Sequence, residues 1–402
     1  MQHATRKSSK KFSAAVRSTY FVLALFLLMP FVSTTRAIIR GHYGGDVVSL
    51  MIPVSFEIFE TLFEWSIWSA FYLLLLILTF KLFNKSRIPE LSSNPSRYAH
   101  LIFLLIAASL LAMVLFFGIG SIERIEGGRN RALELIFAAT QPYYLLIIYL
   151  LVAYRSASKY YYITLILFFL SASISGFVGY FFYLMPVFFH MLRNTGKIKI
   201  FLLFSAAALT APLIRYAKFF YLNTLFESEF IPELSPELYV TFVDIVIDRF
   251  SMISEASVLK QNTIALERLW GMHYEPIFQS YPGSFIYKAF FSGTVGNPNS
   301  LTAQLITGST DWNSVLPMMS YFNISLGTGL TALAYSLIIS VIFIFAASFV
   351  FKNGELLFIS IIPTYLLVFG GWHWPFANFL QAMILAGIIF IIFRKKHRKH
   401  SH

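Results

Sequence analysis

The chain has 402 residues, of which 57% are hydrophobic and only 12% are charged, whereas charged residues make up about a quarter of a soluble domain. This composition excludes an ordinary soluble enzyme and places the chain in a membrane. The formal net charge is +12. Its basic residues flank the apolar blocks and fill the tail "RKKHRKHSH", so we expect contact with anionic membrane lipid and not with nucleic acid.

About ten apolar blocks are long enough to cross a bilayer, and each must be helical because a backbone in hydrocarbon has to satisfy its own hydrogen bonds. The first block lacks a signal-peptide cleavage site, so we expect it to stay attached. In chain order, the predicted spans are 18–35, 64–83, 98–120, 133–153, 160–175, 177–192, 199–214, 329–351, 355–371 and 376–393.

These blocks predict an all-α polytopic membrane protein in three parts. Spans one to seven occupy 1–214, a large and partly helical outer segment occupies 215–328, and the last three spans with a basic tail occupy 329–402. With both termini in the cytoplasm, 20 of the 31 basic residues lie on the cytoplasmic side, as the positive-inside rule requires. The two short spans around "SISGFVG" are joined by a predicted turn at Ser175 and Gly176.

The stretch "VTFVDIVIDRFSMISE" in the outer segment resembles a membrane span interrupted by charges. Over 238–256, nine Leu, Ile, Val and Phe residues favour insertion by roughly 0.3–0.6 kcal/mol each. Asp244, Asp248 and Arg249 each oppose it by roughly 2.5–3.5 kcal/mol. Insertion is therefore unfavourable, and we predict a helix that does not span.

One continuous helix through this stretch would carry two charged stripes. Asp244, Asp248, Ser251 and Glu255 fall on one side, and Arg249 and Lys260 fall on the other. The acidic stripe is either a solvated face of a helix at the membrane surface or part of a site. Arg249 interrupts the apolar side, where a solvated face would not need it.

Arginine dominates the basic residues of the outer side, where it outnumbers lysine 8 to 3. Its fixed fork of donors matches phosphate oxygens and stays charged when partly buried. The arginines either recognise phosphate near the outer leaflet or pair with the 17 outer carboxylates. They are Arg36, Arg40, Arg124, Arg129, Arg131, Arg215, Arg249 and Arg268.

Two further outer stretches carry polar groups suited to a sugar. His273 in "RLWGMHYEP" is a candidate base or a packing residue. In "GNPNSLTAQLITGSTDWNS", Asp311 can hydrogen-bond sugar hydroxyls and Trp312 can stack on a sugar ring, although a plain loop would have the same composition. The sequence contains no Walker loop and no cysteine, and no His cluster with metal-ligand spacing, so we expect neither a metal nor another cofactor.

The layout resembles that of the Wzy-type O-antigen polymerases and, more distantly, the O-antigen ligases. The resemblance covers about 15–393 and is carried by the long outer segment before the last three spans, by "DIVIDRFS" and by "FNISLGTGLTAL". It implies a metal-independent glycosyltransferase of the Gram-negative inner membrane, with 215–328 in the periplasm. Donor and acceptor would be oligosaccharides linked to undecaprenyl pyrophosphate, and a chain-length regulator would be a partner.

The resemblance assigns roles to residues of the outer segment. We predict that Arg249 and Arg268 clamp the pyrophosphate, with Arg215 at the membrane edge as the third choice. Asp248 is the first candidate for the general base, followed by Glu255 and His273. The turn "SISGFVG" lacks the arginine that these families often carry there, and the ligase-like His-Asn pair is also missing.

Two alternatives remain open at this stage. A polyprenyl-phosphate-sugar transferase of the GT-C type would use a carboxylate in the first outer loop, for which Asp46 is the candidate. A lipid-linked oligosaccharide transporter would keep charged residues near the middle of its spans. The predicted spans are almost uncharged, which argues against transport.

Overall fold

The structure is a computed structural model with side chains. It describes residues 14–44, 47, 51–85, 96–119, 130–155, 158–175, 180–192, 213, 216, 235–236, 239–240, 247, 251–273, 303–305, 316–351 and 353–393.

The named elements of the described residues are all helical, apart from one isolated β-bridge between His42 and Pro53. In chain order they are α1 (Ala14–Arg40), α2 (Glu57–Lys85), α3 (Arg97–Phe117), α4 (Arg131–Thr140), α5 (Pro142–Ala153), α6 (Lys159–Ser175), α7 (Tyr180–Tyr183), α8 (Met185–Met191), α9 (Ile253–Gln261), α10 (Thr263–His273), α11 (Ser320–Ile324), α12 (Leu326–Val350), α13 (Asn353–Pro363), a π-helix (Thr364–Phe369) and α14 (His373–Ile392).

Six of these helical segments are long and apolar enough to cross a membrane: α1, α2, α3, α4 together with α5, α12 and α14. Two shorter apolar segments are α6 and the run through α13 into the π-helix. The chain is therefore an all-α protein with membrane-spanning character. The predicted span 177–192 is divided into α7 and α8, and 199–214 lies outside the described residues apart from Leu213, so the count of ten remains a prediction.

The predicted span 133–153 is interrupted in its middle. Gln141 adopts the left-handed conformation, with φ at 46°, and Pro142 starts α5. No residue of α4 is buried, whereas α5 is buried along nearly its whole length. The side chain of Gln381 donates to the carbonyl oxygens of Ala138 and Ala139 at 3.0 and 2.6 Å, which satisfies groups that the break leaves free.

Hydroxyl groups join α2 to α12 and to the π-helix inside the bundle. Tyr72 bonds Ser340 at 2.7 Å, and Ser69 bonds Tyr365 at 2.6 Å. All four residues are buried. Hydrogen bonds of this kind hold helices together in lipid, where apolar contact between helices gains little over contact with lipid tails.

The bundle has two distinguishable ends. We call the end where α1 stops and α2 begins the α9 end, because Gly44 N donates to Ser254 Oγ at 3.2 Å there. At the other end, the carboxylate of Glu355 accepts hydrogen bonds from the Tyr154 hydroxyl and, at 2.5 Å, from Arg155 Nη2. Side-chain charge inside the bundle is therefore confined to its ends in the described spans.

Candidate functional site

Helix α9 is a polar element buried inside an apolar protein. Every residue of Ile253–Leu259 is buried, although the sequence ISEASVLKQ contains a glutamate and two serines. The helix packs against α1, α2 and α11 at the α9 end. Its nine residues are about 14 Å long, about half of a bilayer's hydrocarbon thickness. The helix is too short to cross the bilayer, and because it is buried by other helices its neighbours are protein and not lipid. This explains how a charged helix is accommodated here.

One face of α9 is fixed by hydrogen bonds to the loop after α1. Gln261 Nε2 donates to the Tyr43 hydroxyl at 3.0 Å and also to Ser55 Oγ. Tyr43 and Ser55 are themselves hydrogen-bonded at 2.9 Å. Ser254, which accepts from the Gly44 amide, lies two turns earlier on the same face. The loop therefore holds α9 at both ends.

A second face of α9 is attached to α2 by charge. Lys260 Nζ lies 2.8 Å from Glu64 Oε1 and 2.9 Å from Glu60 Oε2, and its side chain is 17% exposed. Partial burial lowers the pKa of Lys260, but the hydrogen bonds and negative charges of Glu64 and Glu60 outweigh it and leave the pKa raised. The ammonium therefore stays charged at neutral pH and fixes the rotation of α9 against α2.

Glu255 is the buried carboxylate of α9, with 1% of the residue exposed. It lies five residues before Lys260, so it points to a different side of the helix. Three buried hydroxyls lie on the elements that meet at α9, and within the described part of the chain they have no hydrogen-bond partner: Thr34 Oγ1 on α1, Ser257 Oγ on α9 and Ser320 Oγ on α11. Buried polar groups are normally satisfied, so three unpaired hydroxyls on the helices that meet at α9 are consistent with bound water or a ligand at this end of the bundle.

Two of the arginines that the sequence places on the outer side lie in the last turns of α1, at the α9 end of the bundle. Arg36 and Arg40 are one turn apart and half-buried, and the Nη2 atom of Arg40 is fully buried. Arg40 precedes Gly44 by four residues, and Gly44 bonds the residue before Glu255. The described structure thus brings arginine side chains to the end where the buried carboxylate lies.

Helix α11 completes the surroundings of α9 through a close approach of backbones. Met318 N donates to Phe369 O at 3.0 Å. Gly371 has φ at +84°, and a side chain there would collide with Leu316 O. Met252, immediately before α9, similarly lies against Gly370. The Gly370–Gly371 pair therefore permits α9 and α11 to dock on the end of the π-helix.

The prediction of one continuous charged helix that includes Glu255 is wrong, because the helix is interrupted before Glu255. Met252 adopts the left-handed conformation, with φ at 55°, so α9 starts anew at Ile253. Glu255 and Lys260 therefore belong to a helix that begins after the residues with which the predicted stripes grouped them. The solvated-face reading also fails for Glu255, because the whole of Ile253–Leu259 is buried.

The remaining predicted site residues are only partly located. Arg268 is exposed on α10, the helix that follows α9. His273 ends α10, and its side chain lies outside the described residues. The predictions that lie wholly outside the described residues are Asp248, Arg249, Arg215, Asp311 and Trp312, together with the alternative Asp46.

Sequence reasoning did not single out several groups that surround α9. Lys260 was placed on a stripe without its partners Glu60 and Glu64, which lie about two hundred residues away along the chain. Arg40 appeared only in the outer arginine list. The spacing of Glu60 and Glu64, one helical turn apart at the start of a span, is the signal that indicates a basic partner.

Comparison with known proteins returns no similarity that bears on this site: no protein-family model matches the chain, no curated protein resembles it significantly, and no solved structure matches it. The function has to be inferred from the chain's own residues.

Proposed function

We propose that this chain is a membrane glycosyltransferase of the O-antigen polymerase type. It would transfer a glycan from undecaprenyl pyrophosphate to a second lipid-linked repeat unit at the periplasmic face of a bacterial inner membrane. The observation that carries the proposal is α9, a helix with a buried carboxylate at one end of an apolar bundle, where α1 also ends in two arginines. Lipid-linked substrates present their reacting groups at that depth, just outside the hydrocarbon.

The chemistry requires two groups that the α9 end supplies. Pyrophosphate departs with negative charge, which guanidinium groups neutralise through charge-assisted hydrogen bonds. The attacking sugar hydroxyl has to lose a proton, which a carboxylate can accept. Glu255 is the predicted base whose side chain the structure describes. Arg40 ends α1, which packs on α9, and Arg268 lies on α10, which follows α9. Asp248 and Arg249 keep their sequence-based roles as proposals.

The topology of the proposal follows from charge. With ten spans and both termini in the cytoplasm, the α9 end faces the periplasm, and the Arg155–Glu355 pair lies near the cytoplasm. The excess of basic residues in the segments assigned to the inside supports this direction. A chain-length regulator and membrane lipid would be the partners, and no metal or other cofactor is part of the proposal.

The decisive experiment is the lipopolysaccharide ladder of a deletion strain complemented with wild-type or variant genes. A polymerase deletion leaves one repeat unit on the lipid A core, and wild type restores the ladder. Glu255→Gln should insert and fold but leave the single repeat. If Glu255→Gln restores a full ladder, the base is elsewhere, and Asp248→Asn is the next test.

The same strain separates the alternatives. Loss of all repeat units from the core would point to a ligase or to lipid-linked oligosaccharide export. A ladder that is retained by Glu255→Gln but abolished by Asp46→Asn would support the GT-C reading. Cysteine labelling in the natural cysteine-free background tests the orientation, because a cysteine at Arg268 should react with a membrane-impermeant maleimide from the periplasm.

A further inference from the structure

A seam of hydroxyl groups runs through the interior of the bundle, away from the α9 site. It lies where α2, α12 and α13 with its π-helix pack against one another. Its members are all buried, and none of them carries a charge at neutral pH. The seam consists of Ser69, Tyr72, Ser336, Ser340, Ser360, Thr364 and Tyr365.

Most seam hydroxyls have clear partners. Ser340 Oγ donates to Ser336 O at 2.7 Å, so the Tyr72 hydroxyl donates to Ser340. Ser69 bonds Tyr365, and Thr364 Oγ1 donates to Ser360 O and, at 3.1 Å, to Ile361 O. The helices are therefore joined by neutral hydrogen bonds at two depths.

The hydroxyls of Ser336 and Ser360 are different. Both residues are 0% exposed, and neither Oγ atom has a hydrogen-bond partner in the part of the chain that the structure describes. An unpaired buried hydroxyl costs free energy, and the cost has no compensation from solvent at this depth. Two of them in one seam point to a missing partner.

Helix direction places these two hydroxyls at about the depths of the bonded pairs. Helices α2 and α12 both run away from the α9 end, so Ser336, one turn before Ser340, lies at the depth of Ser69 and Tyr365. Helix α13 runs towards the α9 end, so Ser360, one turn before Thr364, lies at the depth of Tyr72. Each unpaired hydroxyl therefore lies at about the depth of one tyrosine–serine bond.

We propose that this seam holds ordered water in the middle of the membrane bundle, bound by Ser336 and Ser360 and by the tyrosine–serine pairs. A buried water makes about three hydrogen bonds to groups that are otherwise unsatisfied, and the seam offers donors and acceptors of both kinds. The described seam is uncharged, which favours a small neutral ligand over a phosphate group, whose charge would have no partner there.

The competing explanation is that each serine rotates and donates to the carbonyl four residues earlier, as Ser171 does to Leu167 O at 2.8 Å. That arrangement is common in membrane helices and needs no water. It predicts a dry seam, which distinguishes it from our proposal.

X-ray radiolytic footprinting of the full chain in lipid nanodiscs tests the proposal, because hydroxyl radicals made from bound water label the side chains beside it. We expect labelling of Tyr72 and Tyr365 although both are buried, and no labelling of Phe103 and Phe168, which are equally buried in α3 and α6. An unlabelled Tyr72 and Tyr365 would show that the seam is dry and overturn the proposal.

The double variant Ser336→Ala/Ser360→Ala identifies the hydroxyls that hold the water. It should lose the labelling of both tyrosines and melt at a lower temperature than wild type. Ser171→Ala is the matched control, with unchanged labelling. If the double variant keeps the labelling, these two serines do not bind the water. If the wild type is unlabelled and the double variant melts at a higher temperature than the wild type, the two hydroxyls are unpaired in a dry seam, which also refutes the proposal.

Discussion

Replacing Gly371 by alanine should separate the α9 end from the rest of the bundle. Gly371 follows the π-helix and has φ at +84°, and an added Cβ would collide with Leu316 O and lie 2.9 Å from Pro317 N. Both neighbours are backbone atoms, so no flexible side chain can move aside. Leu316 and Pro317 lead into α11, which packs on α9.

Two control glycines separate the loss of stability in Gly371→Ala into a backbone contribution and a collision contribution. Gly41 has a similar φ of +78° but nothing within 4 Å of an added Cβ, so Gly41→Ala measures the left-handed backbone alone, about 1–2 kcal/mol. Gly371→Ala adds the collision, and overpacking of this kind costs about 1–3 kcal/mol more. Gly271 in α10 has open space and no positive φ, so Gly271→Ala should stabilise its helix by about 0.5–1 kcal/mol.

Thermal unfolding in one detergent, at one scan rate, ranks the three variants, because irreversible melting depends on scan rate. We expect Gly371→Ala below Gly41→Ala, both below wild type, and Gly271→Ala at or above wild type. Gly371→Ala should also abolish the lipopolysaccharide ladder. Equal melting temperatures for Gly371→Ala and Gly41→Ala would show that the 316–317 backbone does not lie against Gly371.

Three further variants test the described contacts. Glu255→Gln should lower polymerisation at least about 10²-fold, as expected for a lost general base, with an unchanged melting temperature, while Glu267→Gln on the exposed side of α10 should leave the ladder intact. Lys260→Met should destabilise the protein by only about 1 kcal/mol, because both of its carboxylate partners are about half exposed, and a much larger loss would mean that α9 depends on this contact alone. Gln381→Ala should speed hydrogen exchange in α4 relative to wild type and leave exchange in α5 unchanged. If exchange in α4 is the same in the variant and in wild type, the Gln381 amide does not cap α4.

Apolar length alone was enough to predict several of the membrane-spanning helices. Blocks such as 98–120 and 329–351 correspond closely to α3 and α12, because about twenty apolar residues have few other stable structures. The same criterion failed to show the interruption at Gln141, because a left-handed residue before proline changes neither the length nor the hydrophobicity of the block. The proline at 142 was the visible signal, since proline is favoured in the first turn of a helix.

The site was harder to predict because its contacts are distant in sequence. A helical wheel through Glu255 assumes a continuous helix, and a single left-handed residue at Met252 removes that assumption. Burial of α9 likewise depends on α1, α2 and α11, which no local pattern reveals. In the described spans, charged residues such as Arg40 and Glu355 lie near the helix ends, because charged groups are costly inside a bilayer.

The separation of polar groups into two kinds connects these observations with function. Inside the described spans the buried polar groups that join α2, α12 and the π-helix are neutral hydroxyls, which can join helices without the cost of desolvating a charge. At the α9 end the polar groups include Glu255, Lys260 and the arginines of α1. A transporter needs groups that bind its cargo at the midplane, whereas a transferase acting on lipid-linked substrates needs them at one face. In the described residues the charged groups lie at the ends of the bundle and the polar groups between them are neutral, which is the arrangement that the proposed transferase would need.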